Sequence, residues 1–222
     1  IQMVLDCPDL ATRDVSSLDL IAYGASPITE ATLRRAFDAF PGVRFLQAFG
    51  QTELAPVATV LPPEDHAPDG PTAHRLRSCG RATRVVEIEV RGENDQELPR
   101  GSVGEIAVKG PITMLGYWNK PDVTAATKKD GWVMTGDAGY MDEDGFIFLM
   151  DRVKDMIVSG GENVYSSDVE NALYAHPEVA ECAVIGIADQ LKTRHVIWFC
   201  CLYHVVPIEQ RSCKSRSGKR VC

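Results

Sequence analysis

A chain of 222 residues is long enough for one or two domains with a substantial core. Apolar residues make up 45% and charged residues 24%, which excludes a disordered chain. The formal net charge is −8 with no basic run in the first 190 residues, so nucleic acid is not expected as a partner, and no stretch approaches the roughly 20 apolar residues of a membrane-spanning helix.

The chain opens on Ile1 without a signal-peptide pattern and reads as an internal position of a longer protein. Residues 1–16 are uninformative. Leu18 to Tyr23 is a short apolar run expected to form a buried strand, broken by Gly24-Ala25-Ser26-Pro27. A helix follows, with Thr29 as N-cap and Glu30 in its first turn. Leu33, Ala36, Phe37 and Phe40 make one apolar face, and Pro41-Gly42 stops the helix. Val43 to Ala48 is the next strand, so strand, helix and strand suggest an α/β unit with a parallel sheet. In such sheets ligands bind at the carboxyl ends of strands, where Gly24–Pro27 and Phe49–Glu53 fall.

Residues 61–80, rich in Pro, Asp, Gly and His, read as a long loop with His66 and His74 solvated. From Gly80 the period changes to two: Val86, Ile88 and Val90 alternate with Glu87 and Glu89. Gly104 to Val108, Trp132 to Thr135 and a hairpin reversing at Asp142-Glu143-Asp144-Gly145 continue the short strands of a small distorted barrel. Gly160-Gly161 is expected to join two further strands. Ser167 and Glu170 form a capping-box pattern opening a helix with Val169, Ala172 and Leu173 on one face. Val179 to Ile187 is the last clear strand. The fold class is mixed α/β, in four parts: 1–79 within an α/β sheet subdomain, 80–151 barrel-like, 152–190 the start of a small α/β domain, and 191–222 an atypical tail.

That tail holds seven Lys and Arg against one acidic residue, and four of the seven cysteines. Altered coding after Asp189 is the preferred explanation; a basic segment in peripheral contact with a membrane is the alternative. No cysteine pair has zinc spacing. The isolated cysteines of the main body read as buried thiols, which suits a reducing intracellular compartment, cytoplasm or mitochondrion.

Four motifs stand in order: Phe49-Gly50-Gln51-Thr52-Glu53, Thr135-Gly136-Asp137, Asp151-Arg152-Val153-Lys154-Asp155 and Gly160-Gly161-Glu162-Asn163. Asp137 and Arg152 would be held together by the hairpin, where a carboxylate accepts from a diol and a guanidinium donates to one. Each motif has a plainer reading: a structural ion pair, a helix start at Thr52-Glu53, a core Phe49, an ordinary Gly-Gly turn. Taken in order, the four motifs resemble the adenylate-forming enzymes over about residues 17–190. The Gly-Gly-Glu-Asn version is most similar to the acyl-CoA synthetase and fatty-acid–CoA ligase branch.

The resemblance implies activation of a carboxylic acid by ATP and Mg²⁺, then transfer of the acyl group to CoA. It implies that Gly24, Ala25, Ser26, Pro27, Phe49, Gly50, Gln51, Thr52, Asp137 and Arg152 contact nucleotide, with Thr52 and Glu53 catalytic and Glu53 the metal ligand. Lys154 would be a domain hinge, and Gly160, Gly161 and Glu162 would face CoA. Gly110-Pro111 to Gly116-Tyr117-Trp118 resembles the family's next motif, with its glycines serving turns and Trp132 serving packing. The family's phosphate loop and catalytic lysine are not found, and Lys219 stands too near Ile187 to be that lysine. The chain alone is therefore expected to lack turnover. The rival readings are a peptide-synthetase adenylation domain and a non-catalytic product that binds nucleotide weakly, or partners through its tail.

Overall fold

The computed structural model describes residues 1–26, 28–159, 162–174, 176, 179–188 and 194–202. A short helix α1 (Gln2–Leu5) precedes strand β1 (Leu20–Gly24), helix α2 (Glu30–Ala39) and strand β2 (Arg44–Phe49). The β1 and β2 strands run parallel, with Leu20 opposite Arg44 and Gly24 opposite Ala48. Thr29 caps α2 through an acceptor bond from the Thr32 amide. Leu33, Ala36 and Phe40 are buried, and Phe37 meets Phe45 of β2 edge to face. Strands β3 (Thr59–Leu61) and β4 (Arg81–Ala82) add antiparallel neighbours, giving a mixed sheet in chain order.

The expectation of a buried first strand is corrected. Leu18, ahead of β1, is 38% exposed, and Leu20, on the face of β1 turned away from α2, is 40% exposed. Ile21 and Tyr23 of β1 face α2, while Leu20 and Ala22 face outward.

The long loop also carries structure: short 3₁₀ turns at Pro63–Asp65 and Ala73–Arg77. His74 is exposed, as expected, but His66 is buried. Its Nδ1 lies 2.9 Å from the Pro62 carbonyl and its Nε2 lies 2.9 Å from the Tyr23 hydroxyl. A carbonyl only accepts, so Nδ1 carries the proton and a neutral ring takes the Tyr23 O–H at Nε2. Composition alone reads this segment as solvent-facing, whereas its chain folds back under β1 and β2.

A second sheet is a curled half-barrel. It comprises β5 (Glu87–Arg91), β6 (Gly104–Lys109), β8 (Trp132–Met141) and, along the far edge of β8, β7 (Lys128–Lys129) and β9 (Ile147–Arg152). Helix α3 (Pro121–Thr127), with Pro121 in its first turn, leads into β7. Alternation sorts the faces: Ile106, Val108 and Val133 join the main core, whereas Ala107, Trp132 and Met134 cluster on the other side. Trp132 packs under the Arg91 guanidinium at 4.6 Å, which bears out its packing role.

The reversal between β8 and β9 falls where Asp-Gly predicts it. Gly145 has φ 83°, and Asp142 accepts from the Phe146 amide through its side chain. Buried Asp65 pairs with Arg75 at 2.7 Å, and Arg75 reaches on to Asp144 in the reversal at 3.0 Å. The Arg75 and Arg81 guanidinium groups lie over the buried Phe146 ring, which fixes the turn against the first sheet.

Past β9 the chain forms β10 (Ile157–Ser159) and β11 (Glu162–Val164), antiparallel as expected. Helix α4 (Ser166–Tyr174) and strands β12 (Val179–Ala188) and β13 (Arg194–Leu202) follow. The capping box is corrected: Ser167 lies inside α4 and donates to the Met150 carbonyl, while Glu170 accepts from the Val184 amide. Of the face assigned to α4, Val169 and Leu173 are half-buried and Ala172 is exposed. Strand β13 pairs antiparallel with β12, so the composition change after Asp189 does not end the strands. Cys79 is buried, and burial pushes its thiol up to about 12, whereas Cys7 is exposed against expectation. Lys219 lies outside the described residues, and no described helix is long and apolar enough to cross a membrane.

Burial depresses the His66 imidazole below its ordinary value of 6.5, since desolvating the charged ring costs more than the Pro62 carbonyl, Asp65 and Glu64 return. A depressed base stabilises the fold fully above the unfolded value and loses that contribution as pH falls through the folded one. Chemical-denaturant titrations should therefore show stability falling as pH drops below 6.5, with a shallower fall in His66→Gln.

Candidate active site

The carboxyl ends of β1 and β2 are joined closely. A side chain at Gly24 would place its Cβ 2.1 Å from the Ala48 carbonyl oxygen, so this glycine is required by strand packing. Ala25 follows in the left-handed region at φ 65°, a strained place for an alanine, and Ala25 and Ser26 are exposed. Pro27 lies outside the described residues. At the end of β2, Phe49 is half-buried and packs on the main core, so the core reading holds for at least part of its ring.

A Cβ at Gly50 would lie 1.9 Å from the Pro56 carbonyl oxygen, so the chain turns tightly there. The Gln51 side-chain amide donates to the Thr135 carbonyl at 3.2 Å, joining this segment to β8. Thr52–Leu54 is a single 3₁₀ turn, as one plain reading of Thr52-Glu53 expects in outline. Leu54 is fully buried in the main core beside Ile106 and Val133, while Thr52 is exposed and Glu53 half-buried. One buried leucine thus anchors a turn whose polar residues point away from it. Glu53 accepts the Tyr117 hydroxyl at Oε1 over 2.6 Å, and its carbonyl accepts the Met114 amide at 2.8 Å.

The half-barrel supplies the second wall. Within β8, Gly136 takes φ 74° where the pairing with β6 shifts register, and its amide donates to Glu105 at 2.8 Å. Asp137 then stands opposite Arg152 of β9, and the guanidinium donates to Asp137 Oδ1 at 2.6 Å. The pair does not act equally on its members. Pairing with Asp137 holds Arg152 more firmly charged. Burial raises the Asp137 carboxyl by more than Arg152 lowers it. The burial argument is the one to follow, because the Asp137 side chain is 13% exposed against 58% for Arg152. A partly desolvated carboxylate beside an accessible guanidinium suits a vicinal diol, which brings donors to one and acceptors to the other.

Lys154 is exposed at the centre of the turn after β9. The bonds of that turn come from neighbouring amides: Val153 to Gly136, and Asp155 and Met156 to Arg152. Gly160 and Gly161 lie outside the described residues, and Glu162 heads β11 opposite Ser159. Sequence reasoning missed Tyr117, whose contact with Glu53 spans 64 residues. It also missed Asp151, whose carboxylate accepts from both the amide and the hydroxyl of Ser166.

Among the described residues no group of three His, Cys, Asp or Glu side chains could enclose a metal ion. Magnesium is commonly held by one or two carboxylates together with substrate phosphates and water. Glu53 Oε2 has no protein donor among the described residues, so the carboxylate fits that use.

Two family models match the chain. The AMP-binding enzyme family matches residues 1–118, and the AMP-binding enzyme C-terminal domain matches residues 168–219. A medium/long-chain-fatty-acid–CoA ligase of Mycobacterium tuberculosis is 46% identical over 187 residues, 84% of this chain and 32% of the relative. A long-chain-fatty-acid–CoA ligase of Escherichia coli is 39% identical, over 83% of this chain and 31% of its own length. The amide bond synthetase McbA from Marinactinospora thermotolerans superposes with TM-score 0.82 at 36% identity, covering 92% of this chain and 41% of that one. The o-succinylbenzoate CoA synthetase of Bacillus subtilis, solved with ATP and magnesium, superposes with TM-score 0.77 at 31% identity, covering 94% and 41%. The chain spans about a third of the length of the curated relatives it matches. By its motifs, its fold and these matches, the chain belongs to the AMP-binding enzyme family.

Proposed function

We propose that this chain forms the nucleotide-gripping and hinge portion of an acid–CoA ligase acting on fatty or related carboxylic acids. The observation that carries the reading is the Asp137–Arg152 pair, held on one hairpin of the half-barrel to which Gln51 ties the Thr52-Glu53 turn. In the first step a substrate carboxylate oxygen attacks the α-phosphorus of ATP, and the bond to the bridging oxygen breaks to release pyrophosphate. In the second the CoA sulfur attacks the acyl carbonyl carbon, and AMP leaves.

The residues have separable tasks in this scheme. Asp137 and Arg152 take the ribose hydroxyls. The Gly24–Ser26 backbone and Phe49 border the adenine, the exposed Thr52 hydroxyl donates to a phosphate oxygen, and Gln51 and Gly50 fix the turn that presents it. Glu53 would hold magnesium, which when bound offsets charge as an anion approaches a polyanion. Lys154 is the pivot about which β10 to β13 turn between the half-reactions, and Glu162 with Gly160 and Gly161 meets the CoA arm. A peptide-synthetase adenylation domain is the weaker reading, because the two curated relatives quoted above by sequence are fatty-acid–CoA ligases.

Asp137→Asn keeps the shape and removes the acceptor charge. ATP affinity in the full-length protein should weaken by about 1.5–3 kcal/mol, the range of a hydrogen bond to a charged group. Since burial raises this carboxyl, ionised Asp137 subtracts stability as pH rises through its folded value, and the melting temperature at neutral pH should not fall. Unchanged ATP dependence in pyrophosphate exchange would rule out the ribose role.

Lys154→Pro fixes one backbone angle of the turn without removing any of its amide bonds from Val153, Asp155 and Met156. Adenylate formation should persist while thioester formation drops. Equal loss of both half-reactions in rapid-quench assays would place the pivot elsewhere.

A further inference from the structure

The contact between Tyr117 and Glu53 joins the candidate site to a loop with no role in the chemistry above. Four bonds hold that loop. The Met114 amide donates to the Glu53 carbonyl at 2.8 Å, and Lys128 Nζ donates to the Met114 carbonyl at 2.9 Å. The Tyr117 amide donates to Thr124 Oγ1 at 2.9 Å, and that hydroxyl donates to the Lys120 carbonyl at 2.8 Å. A Cβ at Gly116 would lie 2.9 Å from Thr124 Cγ2, so the loop also packs closely on α3. Helix α3 therefore sets the Tyr117 backbone, and Tyr117 reaches Glu53.

A glutamate at the end of a surface turn has three side-chain rotors to order before it can bind anything. The Tyr117 hydroxyl, at 2.6 Å, occupies Oε1 and orders the carboxylate in advance. The choice of donor matters. Lysine or arginine would orient the carboxylate too, but would neutralise it and compete with a cation. Tyrosine is a neutral donor and leaves the negative charge intact.

We propose that Tyr117 is a positioning residue: by bonding Glu53 Oε1 it holds the carboxylate so that Oε2 is offered to the magnesium of bound nucleotide. This rests on the reading of Glu53 as the metal ligand. Thr124 is the outer support, acting through the backbone of Tyr117.

The test uses Tyr117→Phe, Thr124→Val, Glu53→Gln and the Tyr117→Phe/Glu53→Gln double variant in the full-length protein. Binding of a non-hydrolysable ATP analogue is measured by calorimetry with excess Mg²⁺ and again in EDTA. Tyr117→Phe should weaken binding with Mg²⁺ by about tenfold and leave binding in EDTA unchanged. It should cost nothing further on the Glu53→Gln background. Thr124→Val, which leaves both partners intact, should act in the same direction and more weakly; it carries the test if Tyr117→Phe does not fold. Equal weakening with and without Mg²⁺, or full additivity with Glu53→Gln, overturns the proposal in favour of a packing role. Binding of the analogue by the unmodified protein in neither condition would overturn the proposed function, and this inference with it. Mg²⁺-dependent binding that Tyr117→Phe and Thr124→Val leave unaltered sinks the positioning role alone.

Discussion

The candidate site depends on the burial of Leu54. This side chain enters the core between the mixed sheet and the half-barrel, against Ile106, Val108 and Val133. Burying a leucine stabilises by roughly 1.5–3 kcal/mol, so the residues covalently attached to it cannot wander far. Its neighbour Glu53 is thereby held at the boundary between two sheets, within reach of a loop and a hairpin that both belong to the half-barrel. Ala58 and Cys79 continue the same core from the first sheet, and Met141 and Ile147 from the hairpin. The positions of Thr52-Glu53 and Asp137-Arg152 are consequences of one shared apolar layer. The network of Asp65, Arg75 and Asp144 fastens the hairpin's far end to the same sheet.

Against that apolar constraint stands an electrostatic cost. Asp137 is carried into partial burial, where its charge is disfavoured, and its one guanidinium partner remains mostly in solvent. Such an arrangement is poor for stability, since an exposed ion pair contributes little and desolvation still costs. It suits a group whose second partner arrives with a ligand. Perturbed ionisable groups of this kind cluster at functional sites.

Much of this could be read from residue order because the signals were local. The Thr29 cap, the Pro41-Gly42 stop, the alternation from Val86 to Val90 and the Asp-Gly reversal each act within a few residues. What was not legible depends on residues far apart in the chain. His66 looks solvated until Tyr23, 43 residues earlier, is seen to meet it. Ser167 and Glu170 match a capping pattern, yet Met150 and Val184 claim their side chains. Leu18 and Leu20 read as core because an apolar run does not reveal which of its faces another element covers. Tyr117 gives no spacing signal, since the loop that bears it is shaped by α3 and its partner lies in another sheet.

The manner in which α4 meets β9 has a kinetic consequence. Ser166 bonds Asp151, Ser167 bonds the Met150 carbonyl, and Arg77 approaches Asp168 at 3.7 Å, while α4 contributes no buried side chain of its own. The junction is a seam of polar contacts rather than a slab of hydrocarbon. Each bond is worth only about 0.5–1.5 kcal/mol net, because water offers a replacement as it opens. Opening these contacts would therefore trade protein partners for solvent partners one at a time. A seam of this kind opens and closes at little net cost, as one hinged on solvent-exchangeable bonds must.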